Sequence, residues 1–254
     1  MAEGRVVMSM TFAVIVGTVM IQAPTARLVG RRLGVLEEKR NGVLIVGANS
    51  VGRALGRKLA RASVPVLLLD TNRWNVERAQ NDGLDARVGN ALDELVMRTL
   101  DLDVIGRLMA VTSNDSVNRV AVQIYEREFG PQNVHAIRLA DSPEPDEESE
   151  DAPYLFGERL SWEDLFQKLG ADHTLESAAI EERNTSVSDL MQRYPGVVPL
   201  FAFDEEDELR TLSDDAPLRI GESVIYLHDP NAEDAESATA AKTEPRAEAD
   251  APAS

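Results

Sequence analysis

Residues able to cradle a phosphate stand together near position 50. Gly47-Ala48-Asn49-Ser50-Val51-Gly52 follows the apolar run Val43-Leu44-Ile45-Val46. Glycine at 47 permits a tight turn off a strand, and glycine at 52 lets a following helix pack closely on a sheet. A helix starting there aims unpaired N–H groups and its positive dipole end at an anion. Asp70 ends a second apolar run, Val66-Leu67-Leu68-Leu69. A carboxylate in that place accepts hydrogen bonds from ribose hydroxyls. The chemistry offered is nucleotide binding. Asn49 stands where such loops carry their middle glycine; it tolerates left-handed backbone angles, but its side chain must make room for a pyrophosphate or bond to it. The opposing reading is a domain of the same shape whose glycines hold no ligand.

The elements that position these residues follow from hydrophobic period. The runs at 43–46 and 66–69 read as strands buried on both faces. Residues 53–62 read as a helix with Leu55, Leu59 and Ala62 on one face. Strand, glycine turn, helix and strand make a βαβ unit. The pattern continues with helix 75–81, strand 85–88, helix 92–99, strand 108–111, helix 116–129 and strand 134–139. The predicted fold class over residues 41–140 is α/β, a Rossmann-like parallel sheet. In such a sheet the strand ends at Gly47, Asp70, Gly89-Asn90 and Thr112-Ser113 share one edge, where ligands bind.

Residues 141–153 are acidic and proline-broken and read as a linker. Residues 154–229 read as a small α+β, β-rich domain, with helices 162–169 and 187–194 and strands 179–182, 200–203, 208–212 and 223–227. Leu218-Arg219-Ile220-Gly221-Glu222, before the last strand, looks like the Gly-Asp/Glu turn that closes a small β-rich domain. Asp204-Glu205-Glu206-Asp207 fits a hairpin loop and lacks the ligand spacing of a calcium site. Residues 230–254 hold no core-forming side chains and read as a disordered acidic tail.

The 254 residues carry a formal net charge of −18, unevenly distributed. Residues 141–151 hold seven acids and no base; residues 229–254 hold seven acids against Lys242 and Arg246, so these segments carry −12 of the −18. The acidity therefore says little about the folded parts. No basic stripe is present to neutralise phosphates, which argues against nucleic acid as a partner. Cysteine is absent, excluding disulfides, thiolate metal sites and cysteine nucleophiles. His135, His173 and His228 lack metal-ligand spacing and read as strand or loop residues.

Residues 6–23 (VVMSMTFAVIVGTVMIQA) carry no charge. As a helix they span roughly 27 Å, enough for a bilayer core. Pro24 breaks the run; Arg27, Arg31, Arg32, Lys39 and Arg40 follow, against Arg5 in front. By the positive-inside rule the carboxyl end faces the cytoplasm. Residues 1–33 are thus read as a transmembrane helix with a basic juxtamembrane segment. The rivals are a buried or amphipathic helix, and a signal peptide, which would want its charge in front and a shorter apolar core. A single span of this orientation looks like the last one of a larger membrane protein. Carrying no charged residue, it supplies no ion site.

GANSVGRALGRKLA, VLLLD, GNALDE and VTSNDSVNRVA, in this order, resemble an RCK domain, also called a TrkA N-terminal domain. TFAVIVGTVMIQAPTARLVGRRLGV is similar to the last span of bacterial monovalent cation:proton antiporters. The resemblance implies regulation of a potassium channel, a potassium uptake system or an antiporter through bound NAD(H) or an adenine nucleotide. It implies that Gly47, Asn49, Ser50 and Gly52 form the phosphate loop, and that Asp70, helped by Asn72, binds ribose. Asn90 and Ala91, where the family usually has Asp-Ala, would sit by the adenine, and Thr112 and Asn114 would line the phosphate or second-nucleoside side. Ser50 stands where some members place an arginine on a terminal phosphate. NAD(H) is therefore favoured over ATP, ADP or AMP. Asp70 disfavours NADP by charge, with Arg73 near enough in sequence to offset it. The resemblance also implies a homodimer through helix 116–129 and attachment to a membrane transporter core.

Some of these residues have plainer readings. Asn114 and Asp115 can cap the helix that follows them. Trp74 reads as core packing before it reads as a base-stacking platform. Arg138 can be a surface residue or a phosphate ligand. The expectation is a nucleotide-sensing regulatory part of a sodium(potassium)/proton antiporter at the cell membrane, with the nucleotide-binding part cytoplasmic and no enzyme activity. The alternatives are a gating subunit of a potassium uptake system and an NAD-dependent oxidoreductase. The last lacks a catalytic pair: Tyr125 is followed by Glu126-Arg127-Glu128-Phe129, without the Tyr-x-x-x-Lys of short-chain dehydrogenases.

Overall fold

Alternation along the first strand decides the layering. In β1 (Gly42–Val46) Val43 and Ile45 enter one hydrophobic layer, and Leu44 and Val46 the other. Successive side chains of a strand point to opposite faces, so a strand apolar at every position must be covered on both. The computed structural model describes residues 12, 14–18, 20, 40–142, 154–157, 159–171, 173–181, 185–204, 208–212 and 216–232. The chain divides into two units, Met1–Arg40 and Asn41–Ser254. In the first, residues 12, 14–18 and 20 are helical. Among the described residues no helix is long and apolar enough to cross a membrane. Most of the span expected at 6–23 lies outside the described residues, as do linker residues 143–153, loop residues 205–207 and tail residues 233–254.

In the second unit, β2 (Val66–Asp70), β3 (Asp85–Val88), β4 (Ile105–Ala110), β5 (Val134–Ile137) and β6 (Tyr154–Leu155) join β1 in a six-stranded sheet ordered β3-β2-β1-β4-β5-β6. Every pairing in it is parallel. Helices α1 (Ser50–Arg61) and α2 (Arg73–Asn81) contribute Val51, Leu55, Leu59, Val76 and Ala79 to one layer. Helix α4 (Asp115–Phe129) contributes Ala121, Tyr125 and Phe129 to the other, where Val96 and Met97 of the short α3 (Glu94–Thr99) also pack. The parallel sheet expected for residues 41–140 is present, one strand larger than the sequence predicts.

The added strand is a correction. The sequence starts a new module at Tyr154, whereas Tyr154 and Leu155 pair with Ala136 and Ile137. Two residues are too few for period to register. Phe156, fully buried at φ 68°, turns the chain off β6 and meets Phe201 edge to face at 5.3 Å. Arg159 then donates to the carbonyls of Phe156, Pro199 and Leu212.

Those bonds join the parallel sheet to a small antiparallel one. After α5 (Trp162–Gly170), strands β7 (Thr174–Ala179), β9 (Val197–Phe203), β10 (Leu209–Thr211) and β12 (Ser223–His228) form a sheet ordered β10-β9-β12-β7. Strands β8 (Thr185–Ser186) and β11 (Pro217–Leu218) pair separately beside α6 (Val187–Arg193). Phe201 and Phe203 point into the layer shared with Ile45 and Leu68, while Ala202 and Val224 face a smaller cluster with Val187 and Leu218. A strand expected at 179–182 lies at Thr174–Ala179 instead. It is an edge strand with mostly exposed side chains, held by backbone pairing to β12, so it leaves little hydrophobic signal. The expected turn at Gly221-Glu222 is present, and buried Glu222 accepts from Arg210 Nη2 at 2.9 Å and from Arg219 N at 2.9 Å.

Tyr125 is fully buried, and its hydroxyl has no hydrogen-bond partner among the described residues. Burial pushes its pKa up to about 12. Replacing Tyr125 by Phe is expected to stabilise the protein by about 1 kcal/mol, since the desolvated hydroxyl is removed at nearly constant shape. The raised pKa means stability is intact below the ordinary phenol range and falls as pH rises from there through about 12. Urea unfolding at neutral and alkaline pH should show this loss in the native chain and less of it in Tyr125→Phe.

Candidate functional site

Three strand ends converge at the carboxyl edge of the parallel sheet, and hydrogen bonds tie them together. Gly47 leaves β1 at φ +108°. Ala48 N donates to Asp70 Oδ2 at 2.9 Å, fastening the glycine loop to the end of β2. Asn49 caps α1: its Oδ1 accepts from Gly52 N at 3.0 Å, and its Nδ2 donates to Val111 O at 2.8 Å, beyond the end of β4. Helix α1 therefore starts at Ser50, three residues before the hydrophobic period announces it. Arg53 Nη1 donates back to Ala48 O at 2.9 Å.

Both glycines are required by the loop itself. A Cβ on Gly52 would lie 1.9 Å from Gly47 O, and one on Gly47 would lie 3.2 Å from Val111 O. The loop is folded against β4 as tightly as backbone allows. The side chain at the middle position, Asn49, bonds protein groups with both its amide atoms and so occupies one N–H of the helix start. The residues present thus fit a phosphate at the remaining N–H groups of that turn.

Asp70 is held by three donors. Oδ2 takes Ala48 N and Asn75 Nδ2, both at 2.9 Å, and Oδ1 takes Asn72 N at 2.8 Å. A carboxylate has about four acceptor positions, leaving room for one further donor such as a ribose hydroxyl. Asn72 spends its Oδ1 on capping α2 through Trp74 N at 3.0 Å. Asn90 accepts from Leu92 N at 3.0 Å, with Ala91 buried beside it. Gly89 N bonds Asp70 O at 3.0 Å, bringing β3 alongside.

On the other side of β1, Thr112 N and Oγ1 both donate to Asn118 Oδ1, at 3.0 and 2.6 Å, and Asn118 Nδ2 returns a bond to Thr112 O at 2.9 Å. Asn114 caps α4 through Val117 N at 3.2 Å, the plainer role expected for it. Along the edge the order is Asn90, Asp70, Gly47, Thr112, with the topological switch between β1 and β4. Ser50 begins α1 and is half-buried.

Sequence reasoning missed Asn75, Asn118 and Trp162. Trp162 Nε1 donates to Val111 O at 3.1 Å, the same oxygen that Asn49 uses. No local pattern marks that contact. Trp74 is 75% exposed, so core packing is ruled out for it; it stands on the first turn of α2. Arg138 is half-buried, with its Nε enclosed and unpaired among the described residues, so it is no ordinary surface residue. Ser161 and Asp164 cap α5 reciprocally beside it. The hydrogen bonds from Ser161 backbone and side chain hold the Asp164 carboxyl below its ordinary range, with help from Lys168 and Arg138.

The sequence model of the TrkA-N domain matches residues 43–177, slightly more than half of the chain. A curated relative, the putative cation/proton antiporter YbaL of Escherichia coli strain K12, is 32% identical over 74 residues, which cover 29% of this chain and only 13% of that protein's length. Among solved structures, the NAD(P)-binding domain of an exopolyphosphatase-related protein from Archaeoglobus fulgidus is 25% identical, covering 52% of this chain and 96% of that one, with a TM-score of 0.39. The TrkA-N domain of inner membrane protein YbaL from Escherichia coli is 27% identical, covering 38% and 70%, with a TM-score of 0.33.

Gly52→Ala must push its methyl into the Gly47 carbonyl. We expect it to lower stability by about 1–3 kcal/mol, the usual cost of overpacking, measured by thermal unfolding. Asp164 has a lowered folded pKa, so its contribution is present above the ordinary carboxylate range and is lost as pH falls through the folded value. In a Trp74→Phe background, Trp162 fluorescence should change in that acid window, and Asp164→Asn should remove the change.

Proposed function

The chain belongs to the TrkA-N domain family, and on that premise we propose that it is the NAD(H)-sensing regulatory part of a membrane transporter for monovalent cations, a sodium(potassium)/proton antiporter. The observation that carries the reading is the shared acceptor at Val111 O. One donor, Asn49, belongs to the phosphate loop; the other, Trp162, belongs to the helix that leads into the antiparallel sheet. A ligand that shifts the loop changes the partner of that helix. Sensing needs only a difference in ligand affinity between two such arrangements.

NAD(H) suits the edge better than the alternatives. Asp70 offers its remaining acceptor position to a ribose hydroxyl and repels a 2′-phosphate. Ser50 brings no positive charge for a terminal phosphate, so ATP has less to hold it. Gly47, Asn49, Ser50 and Gly52 would cradle the pyrophosphate, Asn72, Asn90 and Ala91 would flank the adenosine, and Thr112 and Asn114 would face the second nucleoside. The domain boundaries follow the same scheme: residues 1–33 anchor the chain in the bilayer and lead to a transporter core, residues 41–140 bind nucleotide and pair with a second copy through α4, and the residues after β6, up to 229, form the small following domain. On this reading the nucleotide-binding part faces the cytoplasm.

Calorimetry on the full chain in detergent should show NADH binding, weakened at least about tenfold by Asp70→Asn, the loss of one charge-assisted hydrogen bond. Absence of binding by NAD(H), ATP, ADP and AMP at millimolar concentration would overturn the sensing role. Tighter binding of ATP than of NADH would overturn the choice of ligand.

A further inference from the structure

Helix α1 buries Val51, Leu55 and Leu59 against the sheet and turns Arg53, Arg57, Lys58 and Arg61 the other way. Their spacing places the four cations on one strip, a local basic stripe where the sequence reading expects none. The strip borders a groove of about 680 Å³, walled on the far side by Phe166 of α5 and by His173. Described acids only partly balance it. Asp82 pairs with Arg57 at 2.5 Å and with Arg53 at 3.4 Å, and Glu176 acts on Lys58 from β7. Arg61 is exposed. Burial lowers the pKa of Arg53 and Lys58, so both are partly stripped of water and gain from a counter-charge.

The chain itself carries that counter-charge to the rim of the groove. After β12, Asp229 Oδ2 lies 3.5 Å from His173 Nε2. Glu233, Asp234 and Glu236 follow at once, and Glu244, Glu248 and Asp250 outnumber Lys242 and Arg246 beyond them. Six extended residues reach roughly 20 Å, about the length of a twelve-residue helix at 1.5 Å per residue. We propose that the acidic segment 233–254 docks in the basic groove between α1 and α5. The acidic linker at 141–151 is the competing occupant. It is internal and leaves from beside α4 and β5, where Ser142 bonds Asp115, rather than from the groove's rim. Docking would bear on the glycine loop, because Arg53, which lines the groove, holds both Asp82 and the Ala48 carbonyl.

The chain has no cysteine, so Gln167→Cys in the groove wall and Ser237→Cys in the tail give a unique pair for disulfide trapping in the full chain. At low salt the pair should crosslink readily. The rate should fall about tenfold near 1 M salt, where the Debye length is about 3 Å. It should fall similarly when Glu233→Gln, Asp234→Asn and Glu236→Gln are added, which alter none of the described residues. Crosslinking that ignores both salt and neutralisation, or none at low salt, overturns the proposal. Neutralising Asp146, Glu147 and Glu148 instead should leave the rate unchanged; a faster rate would assign the groove to the linker. The readout is independent of nucleotide binding.

Discussion

The carbonyl oxygen of Val111 is where the structure is held together around its ligand edge. It accepts from Asn49 in the glycine loop and from Trp162 at the start of α5, while Val111 N continues the ladder to Val46. A carbonyl has two lone pairs, and both are spoken for by parts of the chain distant in sequence. The loop can lie so close to β4 only because positions 47 and 52 have no side chain. The start of α1, the end of β4 and the entry to the second sheet are therefore one mechanical unit.

Nearly every side chain at that edge already performs a local task. Asn49, Asn72 and Asn114 cap helices, Asn90 closes a turn, Thr112 is clamped by Asn118, and Asp70 gathers three donors. Loops fixed in this way lose little entropy when a ligand arrives. The double use also explains how a site can be built largely from asparagine: its amide both caps and accepts within one turn. Removing such a residue would disturb the loop as well as any contact to ligand, so stability and affinity must be measured together.

The antiparallel sheet is packed into the same hydrophobic layer as α1 and the parallel sheet. Phe201, Phe203 and Ile225 share that layer with Ile45 and Leu68, and Arg159 stitches the connecting turn to both β9 and the segment after β10. The groove beside α1 exists because α5 and β7 are brought against a helix whose outer face is basic. Charge on that face is thus a property of the assembled fold.

Residues 41–140 were legible in the sequence because they repeat a local rule: apolar run, turn, amphipathic helix. The glycines, Asp70 and the strand ends could be placed from spacing alone, since a parallel sheet forces them to one edge. What a parallel sheet does not dictate is which side chains satisfy which backbone groups. The pairing of Asn49 with Val111, the arrival of Trp162, the two-residue strand at Tyr154 and the edge strand at Thr174–Ala179 depend on contacts between segments far apart in the chain. Their own residues carry no period that records those contacts. Local pattern determined the elements and the edge; tertiary packing alone decided how the loop is braced and what lies against it.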